Sequence, residues 1–137
     1  MNIQRFSPHF SLDELTRTAL ALPNTTDSPV IIGNLLAVCV HILEPVHEQF
    51  DKAVLIHSGY RSPAVNAAVG GSKSSQHCRG EAADFHVDGY SVYAVAEWIS
   101  ENLDFDQLIL ENFVPHIKDS GWVHCSYSKR NRCRSAS

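Results

Sequence analysis

The chain has 137 residues and a mass of 15.2 kDa, with 44% hydrophobic and 19% charged residues. That is the size of one domain with a core of its own, and it excludes a disordered or coiled-coil composition. A net charge of −4 with histidine neutral argues against binding duplex nucleic acid through a broad basic face.

The N-terminus, MNIQRFSPHFSLDEL, has no long apolar run behind a basic start, so no secretory signal is expected and synthesis in the cytoplasm follows. No stretch approaches the ~18 uninterrupted apolar residues of a membrane span. Residues 1–15 read as a loop leading into a short helix. Ser11 is its cap, and Asp13 and Glu14 fill the first turn, where negative charge suits the helix dipole. Residues 23–30 are turn chemistry. From Asn34 to Phe50, Leu35, Val38, Cys39, Ile42, Leu43, Val46 and Phe50 recur at spacings of three and four, one apolar helical face. Pro45 lies inside this pattern and is expected to kink or divide it.

Val54, Leu55 and Ile56 favour a strand within residues 52–61. A short helix opens at Pro63 and stops at Gly70-Gly71. Residues 73–83 are loop running into a strand, AADFHV. YSVYAVAEWISENL is an amphipathic helix carrying Val92, Val95, Ala96, Ile99 and Leu103 on one side. FDQLILE (105–111) and GWVHCSY (121–127) are strands by composition. The basic tail, 129–137, is expected to be flexible. The order predicts an α+β fold in one domain, 1–137, with a small, mainly antiparallel sheet packed with helices. Cys39, Cys78, Cys125 and Cys133 form no CxxC pair, which argues against a four-thiolate zinc site, and reduced thiols are expected.

Eight histidines in a small chain raise a metal or acid–base question. Three candidate ligands stand out: His77, Asp84 and His124. In HCRGEAAD, Gly80 lets the backbone turn sharply, and Ala82 and Ala83 let segments approach closely. His124 comes from a separate strand. Alternation puts it on a face with Trp122 and Ser126 and turns Val123 and Cys125 toward the core. Two imidazoles and a carboxylate leave a fourth tetrahedral position open, as in a catalytic zinc site. From spacing alone, surface or core histidines are the competing reading.

The segment SGYRSPAVNAAVGGSKSSQHCRGEAADFHV resembles the signature of the zinc D-Ala-D-Ala peptidases, a family of carboxypeptidases, dipeptidases and phage endolysins. The matching pieces are Gly59-Tyr60-Arg61, Asn66 with Gly70-Gly71-Ser72, Ser75 to Asp84, and Trp122-Val123-His124. The closing strands also resemble those of the hedgehog signalling domain, which shares the fold. The resemblance implies a hedgehog/DD-peptidase-like fold and Zn²⁺ held by His77, Asp84 and His124. It also implies Arg61 beside the zinc, where a guanidinium grips a substrate carboxylate or an oxyanion. Several members carry an acid three positions before the last histidine; here Gly121 stands there. Glu111, at a strand end, is the expected general base, with Asp119 as the alternative. Ser75 and Gln76 either bind substrate or hold the loop. His86, two residues after Asp84, is a candidate neighbour of the metal, as is His116 in the loop near the proposed base. His9, His41, His47 and His57 are read as structural.

Two functions follow as expectations. The first is a monomeric zinc metallopeptidase (a D-Ala-D-Ala carboxypeptidase or endopeptidase) acting on peptidoglycan stem peptides, with no nucleic-acid partner. Lacking a signal peptide, it reaches the cell wall when released by a holin or carried in a virion, as a phage or prophage endolysin is. The second is a zinc-stabilised binding domain without turnover.

Overall fold

The computed structural model describes residues 5–117, 119–129 and 131–136. The expected loop at residues 1–4, and Arg130 and Ser137 of the expected flexible tail, therefore lie outside the described residues. The chain opens with a small hairpin, β1 (Arg5–Ser7) and β2 (Phe10–Ser11), absent from the sequence reading, and passes directly into helix α1 (Leu12–Thr16). Ser11 caps α1 as expected. Its hydroxyl accepts from the Glu14 N–H while the Glu14 carboxylate accepts from the Ser11 N–H, a reciprocal capping box.

A long helical segment follows, made of α2 (Pro29–Val38), one π-helical stretch (Cys39–Leu43) and α3 (Glu44–Phe50). Pro45 explains the interruption. It has no N–H, and in a regular helix its ring would press on the carbonyl four residues earlier. The helix instead widens by one residue, with the Glu44 N–H donating to the Cys39 carbonyl. Pro45 thus divides the segment without ending it. Its 22 residues are long and apolar enough to cross a membrane by length and composition. One stripe of it is core, however: Leu35, Val38, Cys39, Ile42, Leu43 and Val46 are fully buried.

The main sheet has five strands: β3 (Val54–Ser58), β4 (Ala82–Val87), β5 (Gln107–Glu111), β6 (Trp122–Ser126) and β7 (Arg134–Ala136). Their order is β3-β4-β6-β5-β7, antiparallel throughout except for the parallel pair β5 and β7. The α+β reading with a mainly antiparallel sheet holds. Helix α4 (Pro63–Ala68), a 3₁₀ turn (Gln76–Arg79) and helix α5 (Val92–Asn102) fill the connections. The tail departs from expectation over Arg134–Ala136, which adds strand β7. Arg132 precedes it, donating from Nε and Nη2 to the buried carboxylate of Asp106 at 2.8 and 3.0 Å.

Alternation along the central strands separates the two faces of the sheet. Ala83, Phe85, Val87, Val123 and Cys125 join the core with the helical stripe and with Val95 and Ile99 of α5. Fully burying a Val, Ile or Phe side chain of this set stabilises by about 1.5–3 kcal/mol. Asp84, His86, Trp122 and His124 occupy the opposite face, where Asp84 pairs directly with His124 across the ladder. The β3–β4 register shifts between Ile56 and Ser58, so that His57 is the extra residue of a bulge.

Candidate metal centre

Three segments converge on the polar face of the sheet. Ser75 caps the 3₁₀ turn by accepting from the His77 N–H, and Gly80 ends it at φ +74°, the left-handed conformation that lets the chain double back into β4. His77 comes from the turn, Asp84 from β4 and His124 from β6, all three buried, with one potential ligand atom of each within 4.8 Å of the others.

The hydrogen bonds select the atoms. His77 Nδ1 donates to the Gly59 carbonyl at 2.7 Å, which leaves the Nε2 lone pair facing Asp84 Oδ1 at 3.2 Å. His124 presents Nδ1 to the same Oδ1 at 2.8 Å. The other carboxylate oxygen, Oδ2, accepts from Arg61 Nη2 at 3.3 Å. One oxygen of Asp84 therefore faces both imidazoles and the second is held from behind. Fixing a ligand's orientation through its far atoms is what a metal site needs. Burial raises the Asp84 pKa, but the electropositive edges of the His124 and His77 rings that face it more than reverse this, and the carboxyl is held well below the usual range. Two imidazole nitrogens and a carboxylate oxygen, with further coordination positions open, form a donor set that suits zinc.

Glu111 ends β5 opposite Trp122, and its Oε1 lies 3.5 Å from His124 Nδ1. It stands at the edge of the trio, with a side chain 37% exposed. Asp119 faces elsewhere, lining a separate cavity with His57 and His86. Gly121 accounts for the missing acid three residues before His124. Its φ is +73°, and a Cβ there would sit 2.3 Å from the Glu111 carbonyl oxygen. The backbone excludes any side chain at this position, including a carboxylate.

Arg61 donates to Ser58 Oγ, Asn66 Oδ1 and Asp84 Oδ2, using three of its five N–H donors. Gln76 turns away from the centre: its amide donates to Asp106 Oδ2 at 2.8 Å and Glu81 Oε1 at 3.3 Å. Contacts of Ser75 and Gln76 thus carry the loop-holding reading. His86 meets His57, with 2.6 Å between Nδ1 and Nε2. His116 lies exposed in the β5–β6 loop. His9 pairs with Glu44 at 2.6 Å and stacks on His47, and His41 stacks on Tyr127, all structural contacts. His57 was read as structural too, and its place beside His86 is what the sequence missed. Strand alternation was the available signal, but it needed the bulge to set the register. All four cysteines are free, and burial pushes the Cys39 thiol up to about 12.

His77, Asp84 and His124 thus form a candidate metal site on the face of an antiparallel sheet. The Peptidase M15 family pattern matches residues 8–126, and the chain belongs to that family of zinc D-Ala-D-Ala carboxypeptidase-type metallopeptidases. No curated protein matches the chain in sequence.

Proposed function

We propose that the protein is a zinc-dependent peptidase that cleaves the stem peptides of peptidoglycan next to D-alanine, as a carboxypeptidase or an endopeptidase. The observation that carries this reading is the convergence of His77, Asp84 and His124 with Glu111 at their edge. A carboxylate at that edge favours turnover over the alternative of a non-catalytic binding domain. Zinc bound by the three side chains supplies Lewis-acid polarisation of a peptide carbonyl and brings the pKa of water down to about 7. Glu111 Oε1 takes the proton of the attacking water and returns it to the leaving amine. His77 is kept in the productive tautomer by its bond to the Gly59 carbonyl. Arg61 orients Asp84, and its remaining donors meet a substrate carboxylate or the developing oxyanion. The enzyme acts on the cell wall after release by a holin or delivery in a virion.

The test is hydrolysis of purified peptidoglycan and of acyl-D-Ala-D-Ala peptides, with zinc and with a chelator, followed by product identification. Zinc-dependent release of D-alanine or of a cleaved stem peptide supports the proposal. A zinc-loaded protein that cleaves neither substrate overturns it.

A further inference from the structure

A second histidine pair lies on the same face of the sheet, apart from the His77–Asp84–His124 trio. His57 is the extra residue of the β3 bulge, and its Nε2 comes within 2.6 Å of His86 Nδ1 on β4. Trp122 flanks the pair, its ring centroid 5.9 Å from that of His57. The two imidazoles open onto a cavity of about 410 Å³ that also carries Asp88, Tyr90, Ser91 and Asp119. Neither Lys nor Arg is among its described lining residues.

Two imidazole nitrogens aimed at each other need something between them. One shared proton suffices for two neutral rings, and a cation does the same with both lone pairs. Tetrahedral zinc with nitrogens at about 2.0–2.1 Å requires a nitrogen–nitrogen separation of about 3.3 Å. The pair therefore has to open by about 0.7 Å, within reach of small ring rotations beside a cavity. Imidazole suits zinc, copper and nickel, and the carboxylates of Asp88 and Asp119 on the same cavity give it the negative charge that favours a dication.

We infer that His57 and His86 form a second binding site for a transition-metal dication, separate from the His77–Asp84–His124 centre, with water completing the coordination.

The test counts zinc on the purified full chain after titration with zinc chloride and removal of unbound metal, with circular dichroism checking that each variant is folded. The wild type is expected to hold two zinc ions, and His57→Ala and His86→Ala one each. His77→Ala/His124→Ala is expected to lose the other. Saturation of the wild type at one ion overturns the inference, as does a His57→Ala variant that still holds two. The two readings fail separately. An unchanged count in His77→Ala/His124→Ala refutes the main centre, and an unchanged count in His57→Ala refutes this one.

Discussion

Replacing Gly121 by alanine places a Cβ where the backbone has no room for one. The left-handed φ of +73° costs an L-residue about 1–2 kcal/mol. The new carbon also stands 2.3 Å from the Glu111 carbonyl oxygen and 2.8 Å from Asn112 C and Phe113 N, all main-chain atoms. Overpacking of this kind costs about 1–3 kcal/mol, so the whole substitution is worth about 2–5 kcal/mol. For a chain of this size each kcal/mol lowers Tm by about 3–4 °C, which predicts a fall of about 6–20 °C. Relief has to come from moving the end of β5, which carries Glu111, so turnover falls as well. For the same reason an acid at position 121 cannot replace Glu111: Glu111→Gln/Gly121→Asp remains inactive and melts lower than Glu111→Gln. Thermal melts of the metal-free proteins and hydrolysis by the zinc-loaded ones measure both effects. A Gly121→Ala variant that melts within a degree of wild type, or a double variant that regains activity, refutes this reasoning.

Glu111→Gln keeps its zinc but loses turnover by about 10²–10⁴-fold, the usual contribution of a positioned acid–base group, measured as kcat against metal content. Full turnover in Glu111→Gln together with its loss in Asp119→Asn transfers the role to Asp119. Arg61→Ala frees Asp84 Oδ2 and weakens zinc affinity by about 10–100-fold in competition with a chromophoric chelator, and an unchanged affinity removes Arg61 from that role. Asp106 carries a depressed pKa through its hydrogen bonds to Arg132, against the opposing effect of burial. A lowered folded-state pKa means that the unfolded chain binds the proton more readily. The stabilisation is therefore present above the usual carboxylate pKa of about 4 and is lost as pH falls through the lower folded value. Urea midpoints from pH 7 down to pH 3 are expected to fall more steeply for wild type than for Asp106→Asn, and equal slopes contradict the assignment.

Spacing alone offered His77, Asp84 and His124 only as candidates, through the glycine and alanines of HCRGEAAD and the alternation in WVHCSY; the resemblance to the zinc D-Ala-D-Ala peptidases singled them out, and the structure brings the three together. Strand period also gave the core side of β6. What stayed hidden depends on register and on distant chain. The match of Asp84 to His124 is a pairing across 40 residues, and the bulge at His57 exists only against β4. Gln76 looked like a site residue from its neighbour His77, yet the partner that turns it away, Asp106, is 30 residues on. The tail reads as flexible from its local composition; the buried acceptor for Arg132 lies 26 residues earlier. Pro45 was recognised as a disruption, but a π turn as its remedy depends on the packed stripe on either side, which keeps the helix going.

The central claim is that His77, Asp84 and His124 hold a zinc ion that Glu111 turns to peptide hydrolysis. The most direct measurement is metal content and cleavage of an acyl-D-Ala-D-Ala peptide and of peptidoglycan, on the same samples of wild type, Glu111→Gln and His77→Ala/His124→Ala. Zinc-loaded wild type is expected to cleave, Glu111→Gln to be inert but zinc-bound, and the double variant to lose both this zinc and activity. Undiminished zinc and activity without the two histidines would contradict it.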